Sequence, residues 1–346
     1  MTASPATVVG AELDAYWSAV ADADERAAYA AATSARDRGV PLDQVLAGLV
    51  IAAQRRVGEL WAGNEWTVAR EHAATAVSEE VVRRLGEAVP MPATGPVLTV
   101  ACVEREWHAL PALVVALTLR ARGCRVGYLG ASASRDHLVG TILDTGPRAV
   151  LLSASLTSSL PRVRRQVEAV RGTGTPVVVG GRAFDAQGLR AQRLGATAYA
   201  PSPEVALELL ATLPVHVVPP GPLRHPGAVE ARSIEAEADT VSRDVVRAAT
   251  AALGVEAGDE ATPTDDWRVV LARFVPHVVD CVAGALLTED PTVYGETRRW
   301  LSEVLAARGA VPEALGAVEQ ALAQRLHDHP EAVRLLAGAD RNPTVR

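Results

Sequence analysis

The sequence contains no lysine: all 34 lysine-plus-arginine positions are arginine, so chemistry that needs a lysine amine is excluded. Cysteine is scarce. The three present, Cys102, Cys124 and Cys281, are odd in number and lack metal-type spacing, which argues against a disulfide framework or a zinc site. No basic stripe stands out among the 41 acidic residues, and the formal net charge is −7, so nucleic acid is not expected as a direct partner. No basic segment followed by an apolar stretch opens the chain in MTASPATVVGAELDAYW, and the longest apolar runs fall short of the roughly 20 residues a membrane span requires. A soluble, cytoplasmic protein is expected, without internal repeats or long low-complexity tracts.

What is present divides into three. At 346 residues the chain has room for two or three domains, each with a full core. Residues 11–90 carry helical apolar periodicity, as in PLDQVLAGLVIAAQRRVGELW, and predict a helical cap bundle. Residues 95–214 switch to short apolar runs, VLTVACV, CRVGYLG, RAVLLSAS, TPVVVGG and ATAYAP, separated by helical stretches. Five such strands predict a doubly wound, flavodoxin-like parallel sheet. A proline-rich linker, 215–229, leads to an all-helical region, 230–340. The fold class is multidomain α and α/β.

EREWHALP, residues 104–111, stands between the first strand and the following helix. In open α/β sheets ligands sit beyond the carboxyl ends of the strands, near the point where strand order reverses, and His108 lies on that loop. A lone loop histidine is ordinarily a solvated side chain. The spacing Glu106-x-His108 adds a reason to read more: a carboxylate placed there can bond the imidazole nitrogen that does not bind metal, fixing its tautomer. Ser153 and Ser155 close the third strand, and Gly180 and Gly181 the fourth. Hydroxyls and bare backbone along one edge can receive a polar ligand tail.

Together these residues resemble the cobalamin-binding fold, with its Asp-x-His-x-x-Gly, Ser-x-Leu and Gly-Gly pattern. The resemblance implies that His108 is the lower axial cobalt ligand and that the cofactor's nucleotide tail threads into the sheet. Glu106 stands for the aspartate, Pro111 for the glycine and Ser155 for the leucine. Pro111 fits as a first helical residue, since its missing amide would be unpaired there anyway, but it bears on how closely a corrin ring approaches the turn.

In the cap, ELWAGNEWTVAREHAATA places nine residues between Trp61 and Glu71-His72. Alone, such residues read as packing plus a solvated face. Ahead of a cobalamin domain, the spacing resembles the CarH-type light sensors. That resemblance implies that Trp61 packs over the upper face where adenosyl sits, Glu71 bonds the adenosyl group, and His72 takes the upper cobalt position after light breaks the cobalt–carbon bond. An indole can shield such a ligand, a carboxylate can accept from ribose hydroxyls, and a neutral imidazole is a competent cobalt donor. About ten residues precede the cap, so no DNA-binding head of the CarH kind is expected and output falls to the C-terminal region. The whole arrangement resembles the photocobilins, which pair a cobalamin light-sensing module with a globin-like helical domain that takes a bilin such as biliverdin.

Arg273, His277 and Cys281 share a face of RVVLARFVPHVVDC, with Asp280 nearby. Arginines suit a bilin's propionates and a carboxylate suits its pyrrole N–H groups; Arg298, Arg299 and Trp300 add charge and ring packing. Pro276 is expected to kink this helix and open a pocket. A plain helical dimerisation domain, and His277 as a haem ligand, are alternatives on these residues. Cys281 permits a thioether link, although its apolar neighbours suit a buried thiol.

The expectation is a non-enzymatic cobalamin photoreceptor, homodimeric, that binds adenosylcobalamin and a bilin and signals to an unidentified downstream protein. His108 and His72 are the expected metal ligands. A chain ending near residue 225 is expected to keep cobalamin photochemistry. The alternative is a corrinoid methyl carrier serving a methyltransferase system; a haem sensor on the same fold is a third reading.

Overall fold

The structure, a computed structural model, describes residues 7–8, 10–256, 258 and 262–338. The cap comprises α1 (Gly10–Ala21), α2 (Glu25–Asp37), α3 (Leu42–Val45), a π-helical stretch (Leu46–Ile51), α4 (Ala52–Ala62) and α5 (Val68–Glu87). Polar residues set its helix starts: Asp24 accepts from the Ala27 amide at 2.8 Å, and Thr67 from the Arg70 amide at 3.3 Å. The cap buries its own core, with Tyr16, Leu46, Leu49, Val57 and Val81 sealed from solvent, and closes on Leu110, Val114 and Leu117 of the next helix.

The α/β domain follows: β1 (Val97–Cys102), α6 (Ala109–Ala121), β2 (Arg125–Tyr128), α7 (Arg135–Thr145), β3 (Ala149–Ser153), α8 (Leu160–Gly172), β4 (Val177–Gly180), α9 (Leu189–Arg193), β5 (Ala198–Tyr199) and α10 (Pro203–Leu209). All strands pair in parallel, in the order β2-β1-β3-β4-β5. This is the doubly wound order with its reversal between β1 and β3. Register aligns Cys102 with Ser153 and Ser153 with Gly180, so the ends of three strands meet on one edge. Pro111 is the third residue of α6, not the first. It still lies in the first turn, where amides have no intrahelical partner.

The C-terminal region is α11 (Pro226–Ala236), α12 (Ala238–Ala252), α13 (Trp267–Thr288), α14 (Thr292–Ala307), α15 (Ala314–Arg325) and α16 (Pro330–Gly338). Two expectations change here. The linker ends earlier than read, because Pro226 occupies a first helical position and His225 caps it by accepting from the Ala228 amide at 3.2 Å. More consequentially, the region shares one continuous hydrophobic core with β3, β4 and α8: Leu152, Leu160 and Val163 pack in the same cluster as Val278, Val282 and Leu287.

Helix α13 is the reason. From Val278 to Thr288 every residue is buried, so it is apolar all round, as a core helix must be. Its 22 residues are long and apolar enough to cross a membrane by length and composition, contrary to the reading that no run approached that length. Here most of that stretch is buried against protein, its second half completely. The helix continues through Pro276 without a break.

Candidate functional site

Beyond β1 the chain turns through residues 103–107 before α6 starts. Arg105 takes a left-handed backbone, φ 62°, and donates its amide to Ser132 Oγ at 3.0 Å. Ser132, itself at φ 50°, donates its amide to Glu106 O at 3.0 Å. Buried Gln166 of α8 braces both loops, accepting from the Glu104 amide at 3.2 Å and donating to Ala133 O at 2.6 Å. Non-glycine residues hold such conformations only where their surroundings over-determine them.

Glu106 is 1% exposed. Its Oε2 accepts from the amides of Ser155 at 2.7 Å and Leu156 at 3.1 Å and from Ser159 Oγ at 3.3 Å. Its Oε1 meets His108 Nδ1 at 2.5 Å and accepts from the His108 amide at 3.2 Å. Burial works against the charge, but the bonds from His108 and the amides outweigh it and hold the carboxyl below its ordinary range. In turn the bond to Glu106 raises the imidazole above its ordinary value against the pull of burial. In the neutral ring the bond to Glu106 favours the tautomer with its proton on Nδ1, the one that leaves Nε2 with a lone pair. The His108 side chain is 55% exposed.

The donor chemistry fits the expected cofactor. Among the described residues no group of three or more metal-ligating side chains exists, so the site suits a metal that brings its own equatorial ligands and needs a single protein donor. With Nδ1 engaged by Glu106, Nε2 is the nitrogen of His108 left to act as such a donor.

Ser153, Ser155, Gly180 and Gly181 lie on the same edge, all partly exposed. Ser155 engages Glu106 through its amide. The glycine pair serves the sheet itself: a Cβ on Gly180 would come within 2.6 Å of Ala200 O, and one on Gly181, at φ 107°, within 2.3 Å of Ala154 O.

From the cap, Glu71 is near enough to His108 for its charge to raise the imidazole's pKa, while Arg182 opposes it. Glu71 is bonded to His72 Nδ1 and accepts from Thr75 Oγ1 at 3.0 Å; the His72 side chain is 74% exposed. Trp61 is the last but one residue of α4 and packs outside the cap's own core. Its ring lies 5.9 Å from Phe274 and 6.0 Å from Trp300, nearly parallel to the latter at 28°.

The C-terminal residues are dispersed. His277 Nδ1 bonds Ser158 Oγ at 2.9 Å, in the turn after β3, and burial lowers its pKa. Asp280 is committed to a buried ion pair with Arg162 at 2.8 Å, and Arg298 pairs with Glu319 at 2.5 Å. Cys281 is buried between Thr157 and Thr297, its thiol pushed up to about 11 mainly by that burial. Arg273 and Arg299 are exposed, and Trp300 is half-buried. Two cavities along these helices, of about 610 and 330 Å³, are lined by none of Arg273, His277, Asp280, Arg298, Arg299 or Trp300. The pocket expected at Pro276 is thus not among them.

Sequence reasoning missed Ser132, Ser158, Ser159, Gln166, Phe274 and Arg308. The hydroxyl-rich run SASLTSSLP carried a signal for Ser158 and Ser159. Gln166 and Arg308 sit in ordinary helical patterns and carried none.

Two family models, each described as a B12 binding domain, match residues 96–211 and 12–85. A curated relative, the HTH-type transcriptional repressor CarA of Myxococcus xanthus, is 33% identical over 116 residues, 33% of this chain. The match spans 40% of that relative's length. Among solved structures, a monomethylamine corrinoid protein of Methanosarcina barkeri is similar, with TM-score 0.51 and 16% identity over 59% of this chain and 99% of its own. A cobalamin-binding protein of Desulfitobacterium hafniense reaches TM-score 0.32 at 21% identity, over 59% of this chain and 98% of its own. The carboxylate-held imidazole at the sheet's switch point and the two domain matches make this chain a cobalamin-binding protein.

Proposed function

We propose that the chain is a cobalamin photoreceptor that responds to light by conformational change and not by turnover. The observation that carries this reading is the placement of Trp61, covered by Phe274 and Trp300. A methyl carrier needs its upper face open to partner enzymes, and a cap fastened this way argues against it, although the carrier fold is the one shared with the monomethylamine corrinoid protein. The Trp61 to Glu71-His72 spacing, similar to that of CarH-type light sensors, supports the adenosyl form.

When bound, adenosylcobalamin supplies a cobalt–carbon bond that light cleaves. His108 would be a protein ligand to the cobalt, with Glu106 holding its Nδ1. Glu71 would accept from ribose hydroxyls, and the exposed His72 would offer a second nitrogen donor to the metal. A bilin such as biliverdin is proposed for the C-terminal helices. With Asp280, Arg298 and the Nδ1 of His277 committed to partners, the exposed Arg273 and Arg299 and the half-buried Trp300 remain to hold it. A homodimer signalling to a downstream protein completes the reading.

The test is one set of absorption spectra of full-length protein with adenosylcobalamin, with and without biliverdin, before and after green illumination. His108→Ala is expected to lose the base-off, His-on spectrum or most affinity, and His72→Ala to alter the photoproduct. Unchanged binding in His108→Ala overturns the site. A spectrum indifferent to light returns the methyl carrier, and absence of red-shifted absorbance with biliverdin removes the bilin.

A further inference from the structure

The cap has its own aromatic pair, Trp17 stacked on Trp66 at 5.6 Å, and a closed apolar core. Trp61 belongs to neither. It packs instead against the core built by the α/β domain and the C-terminal helices, within a ring cluster in which Phe274 and Trp300 also meet edge-on at 4.9 Å. Arg308, at the end of α14, lies 4.8 Å over the indole and donates to the carbonyls of Trp61 at 2.8 Å and Ala62 at 3.2 Å. Asn64 of the following turn reaches back to Ala307 O at 3.4 Å. The C-terminus of α4 is therefore joined to another domain: the Trp61 carbonyl, which also accepts from the Asn64 amide at 3.0 Å, and the Ala62 carbonyl both take bonds from an arginine at the end of α14. Among the described residues, Trp61 is packed against that shared core and not against the cap's own.

We propose that Phe274, Trp300 and Arg308 are positioning residues for Trp61, so that the C-terminal region sets how firmly the cap closes over the cobalamin cleft. Occupancy of the upper face and the state of the C-terminal helices are then linked through one side chain. The linkage is reciprocal at equilibrium: a ligand or partner on those helices that changes cobalamin affinity has its own affinity changed by cobalamin by the same factor. The proposal rests on the photoreceptor reading for its purpose, but its geometry does not.

The experiment uses full-length protein. Without cobalamin, amide hydrogen exchange across residues 58–66 is measured in wild type, Phe274→Ala, Phe274→Leu and Arg308→Gln. The alanine and glutamine variants are expected to exchange about tenfold faster there, as loss of one or two aromatic or charge-assisted contacts requires, with Phe274→Leu largely restoring protection. With adenosylcobalamin in the dark, Phe274→Ala is expected to release cofactor about tenfold faster while its bound spectrum is unchanged, since His108 is untouched. In a Trp61→Ala background the Phe274→Ala effect should vanish, which general destabilisation would not produce. Unaltered exchange at 58–66, or effects that add fully in the double variant, overturns the proposal. Failure of wild type to bind cobalamin removes the photoreceptor reading while the exchange measurement still decides this one.

Discussion

The cap and the C-terminal region are both all-helical and flank the same sheet, yet they are attached differently. The cap keeps a core of its own and rests on α6 through Leu110, Val114 and Leu117. The C-terminal helices have no separate core: α13 inserts an all-round apolar segment against β3, β4 and α8. Polar contacts follow the same division. Buried Arg190 of α9 reaches Asp290 at 2.8 Å, Glu296 at 2.8 Å and Thr292 at 2.8 Å, joining the α/β domain to α14, whereas the exposed Arg122 pairs with Asp43 at the cap's edge. The lesson is that a proline-rich stretch marks a turn of the chain and not the limit of a folding unit.

The largest expected effect comes from cutting at that stretch. A chain ending at residue 225 would expose the faces of Leu152, Leu160 and Val163 that α13 covers, a loss of about 1.5–3 kcal/mol for each side chain fully exposed, comparable in sum with the about 5–15 kcal/mol by which a domain is stable. It is expected to aggregate, contrary to what the sequence suggested, while a chain beginning near residue 90 keeps a cooperative melt by circular dichroism. If both fragments fold equally well, the comparison fails.

Next is Asp280→Ala, which strands Arg162 in the interior. Removing one member of a buried ion pair costs about 3–5 kcal/mol, measurable by urea unfolding at fixed pH. Smaller is a pH effect at His277. Burial lowers its pKa below the ordinary 6.5, so the unfolded chain binds a proton that the folded one resists. The stability it contributes is present above about 6.5 and lost as pH falls through the lower folded value. The melting temperature should drop over that window in wild type and less in His277→Gln. Smallest is Arg122→Ala at the cap's edge, where an exposed pair is worth about 0–1 kcal/mol; an effect as large as that of Asp280→Ala would erase the contrast.

Much of this was legible in advance. The five strands, the all-parallel sheet and the loop bearing Glu106 and His108 follow from apolar runs and from a carboxylate two residues before an imidazole. The joining of the C-terminal region was not, because burial on two sides looks the same in a sequence whichever neighbour supplies the second side. VVDCVAGALLT announces a helix without a polar face; it does not say that β3 and α8 cover it. Arg190 and Arg308 look like ordinary surface arginines until partners about 100 and 247 residues away are brought to them.

The π-helical stretch Leu46–Ile51 sits between the start of the cap's long helical segment and Trp61. A π turn is an α-helix carrying one residue too many, and each residue of an α-helix advances the side chains by roughly 100°. That extra residue therefore dials the azimuth of everything after it. Deleting one residue from the stretch would turn the indole of Trp61 about a quarter of a revolution away from Phe274 and Trp300, and would turn the core-facing Ala53 and Val57 of α4 with it. The cap's hold on the rest of the molecule thus depends on a phase offset stored 10 residues upstream of Trp61, counted from Ile51.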